Sequence, residues 1–333
     1  GRYADAIQLI RKDNPFPATC GFICEHPCEA RCRRNMVDTS VNIRGLKRAA
    51  SDLAGTVPPP PCAPSTGKKV AIVGGGPSGL ASAYYLQLMG HQVTVLEMLP
   101  KLGGMLRYGI PNYRLPKDQL EKDTDAILAT GVKVIHNVKI GMDVKLDDLR
   151  RDYDAVLITI GASTDKKLGL PNEDAPGIMS AVGFLRNVSL GNNIDLTGQD
   201  VAVVGGGNVS MDAVRTAVRL GAKTTIVSIV YRRRTVDMTA LPAEIEAAIA
   251  EGVELKTLVA PAGIELDESG HVSGLRVTPQ MISKIKDGRA SVTASGAEEY
   301  VIPCQTLIVA IGQNIETSHY QESGIPVERG KIV

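Results

Sequence analysis

The stretch that decides the fold is Val70-Ala71-Ile72-Val73-Gly74-Gly75-Gly76-Pro77-Ser78-Gly79. Its apolar, mostly β-branched start predicts a buried parallel strand, and the glycines predict a tight turn into a helix. Gly74 permits that turn, Gly76 lets the backbone approach a pyrophosphate, and Gly79 lets the helix pack closely on its strand. Pro77 and Ser78 open the helix, whose free N–H groups attract an anion. These residues therefore predict a dinucleotide site.

The strand that follows, Val93-Thr94-Val95-Leu96, ends at Glu97. An acid at this point accepts hydrogen bonds from ribose hydroxyls, which favours a dinucleotide with a free ribose, such as FAD. A later glycine segment that contains Gly104, Met105 and Leu106 would let the backbone approach a flat ring system. We therefore assign these three residues to the same site.

A similar unit recurs at Val201–Val204, followed by Gly205-Gly206-Gly207-Asn208-Val209-Ser210, with Ser210 in place of the third glycine. The next predicted strand, Thr224–Val230, leads into a basic run, Tyr231-Arg232-Arg233-Arg234, and has no acid at its end. Two planar guanidinium groups suit a 2′-phosphate, so this second site favours NADPH over NADH. The residues predicted to bind NADPH are Gly205, Gly207, Asn208, Ser210, Arg232 and Arg233.

Cys20, Cys24, Cys28 and Cys32 recur at every fourth position of the N-terminal segment. A regular helix would place them on one face, but Pro27 predicts a break in the path. Four thiolates suit zinc or an iron–sulfur cluster, and the two redox dinucleotide sites in the same chain favour iron–sulfur. We therefore predict that these four cysteines are metal ligands.

Composition excludes several classes of protein. The chain has 333 residues, of which 44% are hydrophobic and 22% charged, as in globular proteins of two or three domains. Its net charge of +1 argues against a general nucleic-acid binder. No apolar run approaches the roughly 20 residues that span a bilayer, and the N-terminus is not a signal peptide. The clustered cysteines do not follow a secreted disulfide pattern, so we predict a cytoplasmic protein with no membrane partner.

No cysteine lies between Cys62 and Cys304, so electrons are expected to leave a flavin without a redox dithiol. The missing initiator Met and the strand-like residues 330–333, with nothing after them to pair with, predict a piece of a longer polypeptide.

The repeated strand–glycine–helix–strand unit predicts an α/β fold with two Rossmann-like dinucleotide-binding domains. A small helical Cys-rich domain precedes them, and the NADPH domain is inserted into the FAD domain. The predicted ranges are 1–55 for the helical domain, 56–67 for a Pro-rich linker, 68–179 and 312–333 for the two parts of the FAD domain, and 180–311 for the NADPH domain.

Together these motifs resemble the small (beta) subunit of NADPH-dependent glutamate synthase and its relatives, which include the N-terminal part of dihydropyrimidine dehydrogenase. The segments that carry the resemblance are Asn14-Pro15-Phe16-Pro17, Cys20–Cys32, Val73–Gly79, Gly104–Pro111, Gly205–Asp212 and Tyr231-Arg232-Arg233. The resemblance implies a helical domain with two 4Fe–4S clusters, joined to FAD and NADPH domains. It also implies that Cys24, Cys28 and Cys32 serve different clusters, while Cys20 matches a further family cysteine.

The resemblance further implies an enzyme that passes electrons from NADPH through FAD to 4Fe–4S clusters and then to a larger catalytic subunit, as in L-glutamate biosynthesis. The cofactors perform the hydride chemistry, so no catalytic side chain is predicted. One alternative is the large subunit of a ferredoxin:NADP oxidoreductase, bifurcating or not, which uses a ferredoxin-like acceptor. An alternative from a different class is a zinc-stapled, nucleotide-sensing scaffold without turnover.

Overall fold

The computed structural model describes residues 1–223 and 228–333, which form two compact units. The first unit comprises residues 1–162 and 315–333, and the second comprises residues 163–314. The helices are α1 (Tyr3–Ile10), α2 (Pro17–Ile23), α3 (Pro27–Ala30), α4 (Ile43–Leu53), α5 (Pro77–Leu88), α6 (Met105–Tyr108), α7 (Lys117–Leu128), α8 (Leu146–Asp152), α9 (Ala181–Ser189), α10 (Asn208–Arg219), α11 (Pro242–Ala250) and α12 (Ser318–Glu322). Short 3₁₀ turns cover Arg33–Met36 and Thr235–Asp237.

The strands follow the same chain order. They are β1 (Lys69–Val73), β2 (Gln92–Glu97), β3 (Lys133–His136), β4 (Ala155–Ile158), β5 (Thr164–Asp165), β6 (Ile178–Ser180), β7 (Val201–Val204), β8 (Ser228–Tyr231), β9 (Glu254–Thr257), β10 (Val259–Leu266), β11 (Val272–Lys286), β12 (Arg289–Ala294), β13 (Tyr300–Pro303), β14 (Thr306–Val309), β15 (Gln313–Asn314), β16 (Val327–Glu328) and β17 (Lys331–Ile332).

The first unit is built on four parallel strands in the order β3-β2-β1-β4. Strand β1 is buried from Val70 to Val73 and pairs with β2 on one side and with β4 on the other. The strand order therefore reverses at β1, and open parallel sheets bind ligands at such a point, beyond the carboxyl ends of the strands. Gly74 follows β1 directly, so the first glycine turn lies where a ligand is expected.

The N-terminal helices belong to this first unit, and α2 packs against α7. Phe16 is part of its apolar core, and the Asp123 carboxylate of α7 accepts hydrogen bonds from the N–H groups of Ala18 (3.3 Å) and Thr19 (2.7 Å). Because the first N–H groups of a helix have no partner within it, Asp123 caps α2 from a distant segment. Burial raises the pKa of Asp123 to about 6, although the backbone N–H of Thr19 acts in the opposite direction. Residues 1–55 thus share one compact unit with the first sheet.

The second unit has five parallel strands in the order β6-β14-β7-β8-β9. Strand β7 lies between β8 and β14, so here too the order reverses at the strand that precedes the glycine turn. Phe184 of α9, Met211 of α10 and Ile229 of β8 are fully buried in its core. A second, antiparallel sheet is formed by β10, β11, β12 and β13 and was not predicted from the sequence.

The α/β class with two parallel sheets is confirmed. Of the predicted strand Thr224–Val230, only the part from Ser228 onward lies within the described residues. The second unit begins at Ser163, ahead of the boundary predicted at 180, because β5 pairs with β15. The strand predicted at 330–333 pairs with β16, which precedes it in the chain.

Candidate functional site

The first glycine turn has no room for a side chain at two of its positions. Gly74 has φ +105°, and a Cβ there would lie 2.6 Å from the carbonyl oxygen of Thr159. A Cβ at Gly79 would lie 2.0 Å from the carbonyl oxygen of Gly74. The Thr159 hydroxyl lies 3.0 Å from the carbonyl oxygens of both Val73 and Gly74 and holds the turn closed. Thr159 directly follows β4 and was not predicted as a site residue.

Gly76 differs from these two glycines because the space beside it is open. It is the N-cap of α5 with an ordinary φ of −77°, and the nearest atom to a Cβ there would be Gly104 Cα, at 3.8 Å. Pro77 and Ser78 are exposed beside it, and no described side chain caps the helix. Free N–H groups next to open space suit an anionic pyrophosphate.

Glu97 ends β2 directly beside this turn and is 4% exposed. One carboxylate oxygen accepts the N–H of Gly75 (2.7 Å), and the other accepts the N–H of Leu99 (2.8 Å). Burial raises the pKa of Glu97, and these backbone donors partly offset the rise. Because each carboxylate oxygen has a further lone pair, Glu97 can hold the turn and still accept a ribose hydroxyl.

The segment predicted to approach a flat ring lies against the first glycine turn. The N–H of Gly103 donates to the carbonyl oxygen of Gly75 (2.8 Å), and a Cβ at Gly104 would lie 2.7 Å from Gly76 Cα. Met105 and Leu106 begin α6 immediately afterwards and are half-buried. The structure therefore brings the predicted first-site residues together.

A cavity of about 680 Å³ opens beside the second glycine turn. Gly205 has φ +150°, and a Cβ there would lie 2.4 Å from the carbonyl oxygen of Ala310. Gly207, the N-cap of α10, has φ −103°, and the nearest atom to a Cβ there would be Thr239 Oγ1 at an ordinary 3.4 Å. The second turn thus repeats the combination of a closed bend and an open N-cap.

The basic run divides into arginines with different roles. Arg232 and Arg233 line the cavity. Arg232 is exposed, and within the described chain its side chain makes no hydrogen bond or ion pair, whereas Arg233 Nε donates to the carbonyl oxygen of Ala290 (2.8 Å). Arg234 forms an ion pair with Asp237 (2.8 Å), which lowers the pKa of that carboxyl group. Two guanidinium groups therefore remain at the cavity for a phosphate.

The other two residues predicted for the second site lie on α10. Asn208 lines the cavity, and its Oδ1 accepts the N–H of Leu241 (2.9 Å), so it also anchors the loop that carries the arginines. Ser210 is fully buried, and its hydroxyl finds no hydrogen-bond partner in the described chain. Ser210 is not among the residues that line the cavity, and its contact with a dinucleotide stays a prediction.

The four clustered cysteines follow the broken path that Pro27 predicts. Cys20 lies in α2 against the apolar core, and Cys24 ends that helix in an extended conformation. After the break, α3 contains Cys28, and Cys32 follows as an extended residue. All four are free thiols, as are Cys62 and Cys304. Among the residues the structure describes, no three side chains of His, Cys, Asp or Glu converge on a potential metal position.

Two of these thiols have the surroundings that a cluster ligand needs. The N–H of His26 donates to Cys24 Sγ (3.4 Å). Backbone N–H groups, first that of Val41 and then that of Arg34, lower the pKa of the Cys32 thiol. Hydrogen bonds to sulfur favour the thiolate and tune cluster potentials, so the donor set fits an iron–sulfur ligand.

In the described part of the chain, no helix has the length and apolar character needed to cross a membrane.

Residues 68–333 match the family described as pyridine nucleotide-disulphide oxidoreductase. The chain belongs to this family. Its residues 1–57 match a further domain, described as dihydropyrimidine dehydrogenase domain II, 4Fe-4S cluster. The family binds FAD and NADP(H), so the predicted cofactor classes are confirmed, as is the assignment to the NADPH-dependent oxidoreductases.

Relatives with curated names are similar over nearly the whole chain. The NADPH-Fe(3+) oxidoreductase subunit beta of Geobacter sulfurreducens is 39% identical, covering 100% of this chain and 50% of the relative. The NADP(+)-dependent formate dehydrogenase subunit beta of Moorella thermoacetica is 39% identical, with coverages of 96% and 48%. The glutamate synthase [NADPH] small chain of Escherichia coli is 36% identical, with coverages of 94% and 69%. The chain thus spans about half the length of the first curated relatives it matches.

Among solved structures, Mycobacterium tuberculosis FprA in complex with NADPH is similar with a TM-score of 0.64 and 22% identity, covering 80% of this chain and 74% of FprA. At this identity the similarity supports the fold.

Proposed function

We propose that this chain is an electron-entry module, which accepts electrons from NADPH at the second glycine turn and passes them through FAD to 4Fe–4S clusters and a partner subunit. One pair of features supports it most. Each glycine turn has an open N-cap position, at Gly76 and at Gly207, but the first turn borders a buried acid and the second borders two arginines. This difference in charge suits a free ribose at one site and a 2′-phosphate at the other.

The chain's own residues bind and orient the two dinucleotides. At the second site, Arg232 and Arg233 hold the 2′-phosphate, while the α10 N-terminus faces the pyrophosphate across Gly207. At the first site, Glu97 would accept a ribose hydroxyl and Gly76 would leave room for the pyrophosphate. A bound flavin supplies two-electron acceptance from NADPH and one-electron delivery to iron–sulfur centres. The cluster ligands in this proposal are Cys24, Cys28 and Cys32, with Cys20 as a further candidate.

The partner subunit sets the reaction of the whole protein. The glutamate synthase small chain supports a role in glutamate formation, and the two relatives at 39% identity carry names with other acceptors, Fe(3+) and formate dehydrogenase. We propose a larger catalytic subunit that makes glutamate as the acceptor, acting in the cytoplasm. Detecting NADPH-dependent glutamate formation in the full-length complex tests this assignment, and NADPH-dependent reduction of Fe(3+) or of a ferredoxin without glutamate formation would contradict it.

A pair of matched substitutions tests the two dinucleotide sites. Gly76→Ala and Gly207→Ala each add one methyl group at a helix N-cap with ordinary φ and open space, so the fold should tolerate both. We expect Gly76→Ala to lose flavin, measured by absorbance at 450 nm, and to keep its affinity for adenosine 2′,5′-bisphosphate. Gly207→Ala should keep its flavin and lose that affinity by about tenfold or more, because the methyl group occupies the pyrophosphate position.

Thermal melting of both variants serves as the control for folding. Loss of both ligands in either variant, with an unchanged melting temperature, would show that the turns do not act as separate sites. The scaffold alternative would gain support if full-length protein purified without oxygen contained zinc but no iron and did not oxidise NADPH.

A further inference from the structure

A carboxylate lies in the middle of the loop that carries the arginines. This arginine loop, residues 231–241, joins β8 to α11 and forms part of the wall of the cavity. Its later part is fastened to the glycine turn, because the N–H groups of Thr239 (2.9 Å) and Ala240 (3.1 Å) donate to the carbonyl oxygen of Gly206. Its middle is fastened by Asp237, which is 9% exposed. An acid so close to a proposed phosphate site needs an explanation, because its charge repels the ligand.

Asp237 binds its own loop through both its side-chain carboxylate and its backbone carbonyl. Its Oδ2 accepts Arg234 Nε (2.8 Å), and its Oδ1 accepts Arg234 Nη2 (2.9 Å), a two-pronged geometry. The Tyr231 hydroxyl donates to the carbonyl oxygen of Asp237 (2.8 Å). The loop is therefore closed on itself around Asp237, and Arg234 is turned away from the role of a phosphate ligand.

Asp237 also reaches the strand that holds Arg233. The N–H of Ala290 in β12 donates to Asp237 Oδ1 (3.3 Å), and the carbonyl oxygen of the same Ala290 accepts Arg233 Nε (2.8 Å). One residue of β12 thus links the acid to the arginine. Arg233 keeps its terminal nitrogens for a ligand, and its Nε is held by the same Ala290 that Asp237 contacts.

From these contacts we propose that Asp237 is a positioning residue that sets the preference of the second site for a 2′-phosphate over a free ribose. The inference rests on the proposed function of that site. Asp237 holds β12 and the arginine loop together, so that Arg233 is fixed and Arg232 stands free beside it. The two effects of its carboxylate have opposite signs: its negative charge weakens phosphate binding, and its hydrogen bonds strengthen it by ordering the arginines.

The substitution Asp237→Asn separates these two effects. If the charge dominates, the variant binds a 2′-phosphate more tightly than the native protein, because one repulsive charge is gone. If positioning dominates, as we propose, the Kd for adenosine 2′,5′-bisphosphate rises by about tenfold, because Asn has only one acceptor oxygen and cannot form the two-pronged bond to Arg234. The Kd for adenosine 5′-monophosphate, which lacks the 2′-phosphate, should change less than twofold.

Titration calorimetry of full-length protein with these two nucleotides measures both constants. Asp237→Glu serves as the conservative variant and should restore part of the selectivity, because it keeps the charge and can still bind Arg234. Glu298→Gln removes an exposed carboxylate of the same unit and is the matched control, expected to change neither constant. As a second readout, the KM for NADPH should rise in Asp237→Asn with little change in kcat or in the KM for NADH.

Unchanged or tighter binding of the bisphosphate by a folded Asp237→Asn protein would overturn the inference. If that variant does not fold, the Glu variant decides: native selectivity in Asp237→Glu despite the longer side chain would overturn the positioning role, and a partial loss would support it. A native protein that binds both nucleotides equally well would instead refute the proposed NADPH site, so the two failures are distinguishable.

Discussion

The Asp123 carboxylate should make the stability of the first unit depend on pH in a direction opposite to that of most acidic groups. Asp123 is 1% exposed, and burial raises its pKa from the ordinary 3.8 to about 6. Between these two values the folded protein holds a proton that the unfolded chain has already released. Stability is therefore lost as the pH rises from about 4 to about 7, and this loss is absent when residue 123 cannot ionise.

The magnitude follows from the shift. Each pKa unit corresponds to about 1.4 kcal/mol, so a rise of roughly two units gives about 3 kcal/mol between the two ends of this range. The substitution Asp123→Asn removes the ionisation and keeps one oxygen that can accept the N–H of Thr19. We expect the variant to be less stable than the native protein at pH 4.5. The gap should narrow by about 2 kcal/mol by pH 7.5, because only the native protein then contains a buried charge.

Urea unfolding followed by circular dichroism at four pH values between 4.5 and 7.5 measures this gap, and hydrogen exchange of the peptide that contains α2 reports it locally. Asp125→Asn removes an exposed carboxylate from the same helix and is the matched control. A stability gap that stays constant with pH, or that widens towards pH 7.5, would refute the reasoning.

Three further predictions concern other parts of the chain. Gly79→Ala places a Cβ 2.0 Å from a backbone oxygen, so it should destabilise the protein by about 1–3 kcal/mol and release flavin; an unchanged melting temperature would contradict this. Glu251 has a pKa lowered to about 2, chiefly by Arg219 and then by Arg215. Glu251→Gln should therefore lower the free energy of unfolding by about 2 kcal/mol at pH 7, and this loss should shrink as the pH falls below about 4.5 towards 2. Equal losses at pH 7 and pH 3.5, measured by urea unfolding, would contradict the prediction. Burial raises the pKa of the Cys304 thiol to about 12, so brief maleimide treatment read by mass spectrometry should label exposed Cys62 and spare Cys304; equal labelling would show that the site opens.

The sequence was sufficient to predict the two glycine turns because their information is local. A short apolar run, a glycine that must adopt positive φ and a following helix all lie within about ten residues, so each step constrains the next. Strand β7 occupies the predicted residues Val201–Val204, and α5 begins at the predicted Pro77. The class of ligand predicted for each turn rests on the charge at the end of the next strand.

What the sequence could not supply are contacts between residues far apart in the chain. Asp123 lies 104 residues from Thr19, and nothing in the pattern of α7 indicates that one of its acids faces inward to cap α2. Arg234 pairs with Asp237 (2.8 Å), and the unbroken run of three arginines in the sequence does not distinguish it from Arg232 and Arg233. The antiparallel sheet of β10 to β13 depends on pairings whose register is set by tertiary packing.

The open positions at Gly76 and Gly207 have a consequence for how sequence variants of this protein would be judged. A methyl group at either position meets no close atom in the protein itself, so such a variant should accumulate to normal levels in a cell. Surveys that score substitutions by abundance or by melting temperature would record both as neutral. If the two turns bind the dinucleotides as proposed, only a survey scored by electron throughput would reveal them, which makes these two glycines a natural test of whether a variant-effect method measures function or merely folding.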